Sequence, residues 1–157
     1  MAIKARELRY AVDLDAGGAF GDEEGVRLEV PTEWTPEHLL LAALVRCSLT
    51  SLSYHAKQAG LAVGDTSGSA RGMVTKRESD ERYAFVEAHV ELVVALEVGS
   101  VAGQAGDARP DRPRASGALE PEPDDLADLL ANAERDCFIS ASLTVKPQYR
   151  WTVNGRS

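Results

Sequence analysis

Thr35-Pro36-Glu37-His38-Leu39-Leu40-Leu41-Ala42-Ala43-Leu44-Val45-Arg46-Cys47 is the stretch on which the fold turns. The Thr35 hydroxyl can cap free amide groups, Pro36 suits the first helical position, and Glu37 puts a carboxylate at the positive end of the helix dipole. The helix so begun should stop near Gly60. Along it Leu39, Leu40, Leu41, Ala42, Ala43, Leu44, Val45, Cys47, Leu49, Leu52, Tyr54 and Ala56 cover nearly the whole circumference. A surface helix would not tolerate that pattern, so this one is expected to be central and buried.

Upstream, Ile3 to Leu14 mixes apolar and charged residues at near-period-two spacing, as a half-exposed strand does. Asp15-Ala-Gly-Gly-Ala-Phe-Gly-Asp22 supplies turn glycines, and Gly25 to Val30 alternates again before Pro31. The two pieces are expected to pair as an antiparallel hairpin. Downstream, Gly68 to Lys76 and Tyr83 to Val98 flank the polar closure Arg77-Glu-Ser-Asp-Glu-Arg82, a second hairpin. Phe85, Glu87, His89 and Glu91 should share one face of its second strand, and Val86, Ala88, Val90 and Leu92 the other.

Residues 99–123 are rich in Gly, Ala, Pro, Arg and Asp, a composition expected for a mobile loop. From Pro123 an acidic first turn precedes Leu126, Leu129, Leu130 and Ala133 at helical spacing, so a second, amphipathic helix delivers Cys137. Leu143 to Val153 reads as the last strand. Hairpin, buried helix, hairpin, loop, helix and strand make an α+β order within one domain, residues 1–157, and not the regular βαβ alternation of a parallel sheet.

The net charge of −8 and pI near 4.9 oppose binding to a polyphosphate backbone, which depends on clustered Lys and Arg. No uninterrupted apolar stretch reaches the roughly 20 residues of a bilayer span, and the opening residues lack the apolar core of a signal peptide. The expected setting is the cytoplasm, where thiols are kept reduced.

There are two cysteines, Cys47 and Cys137, with no CxxC and no Cys/His spacing suited to zinc. They are either a redox couple or two inert core thiols. His55 follows Cys47 by eight residues, about 12 Å of helix rise, too far for direct Cys/His activation within one chain.

Three features together resemble the OsmC/Ohr superfamily, the osmotically inducible and organic hydroperoxide resistance proteins. Thr35-Pro36-Glu37-His38-Leu39-Leu40 is similar to that family's Asn/Thr-Pro-Glu-x-Leu-Leu start of the central helix; ten residues of Ala/Leu-rich chain separate Glu37 from Cys47; and Cys137-Phe-Ile-Ser140-Ala-Ser-Leu143 is similar to its Cys-Pro-x-Ser-x-Ala-Leu segment. The resemblance implies antiparallel sheets wrapped around a long central helix in an intertwined homodimer. It also implies a thiol peroxidase without a cofactor, acting on organic hydroperoxides and recharged by an external dithiol, a lipoyl or thioredoxin-like protein. Cys47 then corresponds to the peroxidatic cysteine, Cys137 to the resolving one, Glu37 to the carboxylate partner of an active-site arginine, and Arg27 to that arginine. Phe138 stands in place of the family's proline and Arg46 in place of a small residue, as in a divergent branch with altered substrate or reductant.

Peroxide reduction needs a thiolate to attack the distal oxygen and a positive group to stabilise both the sulfur anion and the departing alkoxide. An arginine held by Glu37 meets both needs. Ten helical residues rise about 15 Å, so Glu37 and Cys47 of one unbroken helix cannot serve one site, and a partner helix across a two-fold axis would supply one of them. The competing readings are a non-enzymatic protein of the same fold that binds an apolar small molecule or lipid in the dimer cleft, and a stress-related scaffold.

Overall fold

A computed structural model describes residues 7–98 and 122–157. The chain divides into two compact units, Met1–Leu39 and Leu40–Ser157. The loop expected over 99–123 lies, up to residue 121, outside the described residues.

The first unit holds a three-stranded antiparallel meander, β1 (Val12–Leu14), β2 (Ala19–Asp22) and β3 (Arg27–Glu29), in that order. The expected hairpin is therefore corrected: β1 does not pair with β3, because the segment read as one long turn contains β2 between two tight turns. Asp15 makes the first turn by accepting the Ala19 amide at 3.0 Å, with Gly18 at φ 86°. Asp22 makes the second by accepting the Glu24 and Val26 amides at 3.0 and 2.8 Å. Leu14, Phe20 and Leu28 lie in one row across the three strands, with Val12 on the same face. Val12, Leu14 and Leu28 are exposed, leaving this face uncovered within the unit.

Helix α1 (Pro36–Gln58) runs without a break between the expected limits. The Thr35 carbonyl accepts the Leu39 amide, and His38 Nδ1 accepts the Thr35 amide at 3.1 Å, so a histidine takes the place that glutamate holds in a capping box. The expectation of all-round burial is corrected for the single chain. Leu44, Ser48, Ser51, Leu52 and Ala56 form one buried stripe, whereas Ala42, Arg46, Thr50 and Tyr54 are exposed. A helix covered from one side can bury only one side. By length and hydropathy this helix could cross a bilayer, but its buried stripe belongs to a core shared with strands.

In the second unit β4 (Leu61–Lys76) and β5 (Tyr83–Val98) form the long hairpin, with Lys76 opposite Tyr83 and irregularities between Val63 and Thr66 and between Met73 and Val74. Ala88, Val90, Leu92, Val94 and Leu96 point inward along β5, as the alternation requires. Helices α2 (Pro123–Arg135) and α3 (Phe138–Ser142) then lead to β6 (Gln148–Val153), which pairs with β5 in parallel. The sheet is thus mixed and not wholly antiparallel, because the chain crosses over through α2 and α3 and re-enters from the end where β5 began. The last strand is also shorter than expected, since the irregular connection 143–147 that follows α3 occupies its first half.

The core joins Leu44, Leu52 and Ala56 of α1, the inward residues of β5, Leu129 and Ala133 of α2, and Trp151 and Val153 of β6. Gly68 lets α1 approach the sheet: a Cβ there would stand 2.6 Å from Leu92 Cδ2 and 3.2 Å from Val45 Cγ1. At the strand end, Asn154 (φ 50°) returns its side chain to β5, accepting the Leu96 amide at 2.9 Å and donating to the Leu96 carbonyl at 3.1 Å.

Candidate functional site

Both cysteines belong to the second unit and carry free thiols, Cys47 partly exposed and Cys137 fully buried. Cys47 sits mid-way along α1. Cys137 is the second of the two residues between α2 and α3, in extended conformation, and its sulfur accepts the Ser140 amide at 3.5 Å. The amphipathic α2 is anchored by Leu129 and Ala133, and this fixes where its last turn releases the chain.

The two thiols are neighbours in the fold. Burial pushes the Cys47 thiol above its ordinary pKa, the backbone amides of Ile139 and Phe138 pull it down, and the neighbouring Cys137 pushes it up. Ser48, the residue after Cys47 and wholly buried, lies 3.6 Å from Cys137 Sγ and 3.1 Å from the Tyr149 hydroxyl, and it donates to the Leu44 carbonyl at 2.8 Å. Tyr149 comes from β6 and stacks on Trp151, with ring centroids 6.1 Å apart. Trp151 in turn donates to Glu134 of α2 at 2.9 Å. Burial, with Cys137 beside it, raises the Tyr149 phenol above its ordinary pKa despite its hydrogen bonding with Ser48 and Ser140.

A second polar link ties α1 to the same junction. His55 Nε2 lies 3.0 Å from Asp136 Oδ2, one residue before Cys137 and two helical turns along α1 from Ser48. Asp136 also accepts hydrogen bonds from Nε and Nη2 of Arg135, at 2.8 and 2.9 Å. Arg135 first, then His55, lowers the Asp136 carboxyl to about 2.

Glu37 and Arg27 belong to the first unit. The Thr35 hydroxyl and Glu37's own amide hold the Glu37 carboxyl below its usual range. The Arg27 guanidinium is paired with Asp15 across the meander. Among the described residues no group of three or more His, Cys, Asp and Glu side chains is placed to hold a metal ion.

Ser48 and Tyr149 were not foreseen as site residues. Their only signal in the sequence is adjacency: Ser48 follows the first cysteine, and Tyr149 sits in the strand that follows the second.

A family model described as OsmC-like protein matches residues 29–152. The chain belongs to the OsmC-like family. Solved structures agree in fold. An OsmC-like protein of unknown function from Vibrio cholerae superposes with TM-score 0.64 at 16% identity, covering 94% of this chain and 99% of its own. An OsmC-like protein from Mycoplasma pneumoniae gives 0.60 at 10% identity, covering 96% and 99%. An organic hydroperoxide resistance protein from Elizabethkingia anophelis gives 0.52 at 17% identity, covering 96% and 98%. No curated protein matches the sequence.

Proposed function

We propose that this OsmC-like protein is a thiol-dependent peroxidase that reduces organic hydroperoxides through a Cys47 sulfenic acid resolved by Cys137. The observation that carries the proposal is the convergence of the chain's only two sulfur nucleophiles, ninety positions apart, on one cluster. Cys47, with the greater exposure, is the one a peroxide reaches. Its thiolate attacks the distal oxygen, the O–O bond breaks, and the alkoxide leaves and takes up a proton. Cys137 then attacks the sulfenic sulfur, a disulfide forms, and hydroxide leaves as water. An external dithiol restores both thiols.

Burial and Cys137 hold Cys47 above its ordinary pKa, so fast reaction requires a cation at the sulfur besides the amides of Ile139 and Phe138. We assign that cation to Arg27 and its orientation to Glu37, on the resemblance of the helix start. Helix α1 is unbroken between Glu37 and Cys47, and about 15 Å of rise separates them, which favours a site shared by two chains. The uncovered apolar face of Val12, Leu14 and Leu28 supports a homodimer, since patches of this kind mark interaction surfaces.

The test is hydroperoxide consumption with a dithiol, using cumene hydroperoxide. Wild type should turn over, Cys47→Ser should be inert, and Cys137→Ser should accumulate a trappable sulfenic acid. Retention of both thiols by wild type would leave the non-enzymatic binding reading in its place.

A further inference from the structure

Cys137 is sealed from water, at 0% exposure, yet it must lose a proton to form a disulfide. The sulfur is 3.6 Å from Ser48 Oγ, whose single hydroxyl proton also has the Tyr149 oxygen at 3.1 Å and the Leu44 carbonyl at 2.8 Å within reach. A hydroxyl has one proton and two lone pairs, so it can accept a proton on one side while passing its own to the other. Rotation of the Ser48 hydroxyl from Leu44 towards Tyr149 opens that route. Tyr149 is half-buried and lines a groove of about 510 Å³ with Ser140, Arg135 and the exposed Lys146. A serine buried only for packing would be satisfied by the Leu44 carbonyl alone.

We propose that Ser48 and Tyr149 form the proton exit of the Cys137 thiol: the S–H proton passes to the Ser48 oxygen, the Ser48 proton to the Tyr149 oxygen, and the Tyr149 proton to water in the groove. The electron pair left on Cys137 forms the S–S bond to Cys47, and the bond from Cys47 to its leaving group breaks. With a sulfenic acid the leaving group is hydroxide, which takes a proton from solvent to give water. Ser48 touches the reacting sulfur, and Tyr149 acts through Ser48. As a step of peroxide turnover this rests on the reading above, but the exit serves any disulfide formed between these two thiols.

The test uses an aromatic disulfide reagent in place of peroxide. One equivalent of dithionitrobenzoate converts the accessible Cys47 to a mixed disulfide and releases one thionitrobenzoate; attack by Cys137 releases the second, this thiolate leaving as the Cys47–Cys137 bond forms. In Tyr149→Phe, which keeps the ring stacked on Trp151, the first release should be unchanged and the second about tenfold slower or more. The second release should also carry a solvent deuterium isotope effect in wild type that is altered in the variant, which a packing role would not produce. Ser48→Ala should match Tyr149→Phe. A second release within twofold of wild type in Tyr149→Phe, or an equal slowing of both releases, overturns the proposal. If cumene hydroperoxide leaves the thiols intact while the slowing is seen, the peroxidase reading falls and the proton exit stands.

Discussion

Asp136→Asn tests how the Cys137 junction is held on α1. Asp136 lies 3.0 Å from His55 Nε2 and receives two hydrogen bonds from Arg135, and together they lower its carboxyl from 3.8 to about 2. A fall of that size corresponds to at most about 2.5 kcal/mol, at 1.36 kcal/mol per pH unit. Its side chain is 39% exposed. Solvent screening at that exposure reduces the contribution to about 1 kcal/mol. Because the folded-state pKa is depressed, the stabilisation is fully present above about pH 3.8 and is lost as the pH falls through about 2. Urea unfolding of wild type and Asp136→Asn across that range should show a gap of about 1 kcal/mol near neutrality. The gap should close on acidification below the unfolded-state pKa. An equal gap at pH 2 and pH 7 would mean that shape, not charge, accounts for it, and would refute the reasoning.

Leu52 is fully buried on α1, so Leu52→Ala should cost about 3 kcal/mol in the same urea assay, and a loss under about 1 kcal/mol would show that this stripe is not core. Gly68→Val forces a side chain against Leu92 and Val45 and should cost about 1–3 kcal/mol by thermal or urea unfolding. Arg27→Ala should slow hydroperoxide reduction about 100-fold or more and raise the pH at which Cys47 is alkylated. An unchanged rate would remove Arg27 from the proposed site.

Much of the fold was legible because its signals are local. Pro36, Glu37 and the Leu/Ala run define α1, the alternation of Val90, Leu92 and Val94 defines β5, and Leu126, Leu129 and Ala133 define α2. What escaped was set by other constraints. β2 is only four residues long and sits between glycine and aspartate turns, so its composition is that of a turn. The parallel pairing of β6 follows from a crossover that no residue announces. One face of α1 is exposed in the single chain because a helix's apolar circumference does not specify what covers each side. The site divides in the same way. Cysteine chemistry and spacing singled out Cys47 and Cys137, whereas Ser48 and Tyr149 acquire meaning only once α1 and β6 are neighbours in space.

The pairing of the two sulfurs is the claim beneath all of this, and peptide mapping by mass spectrometry tests it most directly. After limited oxidation of the reduced protein with one equivalent of hydroperoxide per chain, the account predicts a linked Cys47 and Cys137 peptide pair as the main product. Sulfinic acid on Cys47 beside an untouched Cys137 thiol, or two unmodified thiols, would contradict it.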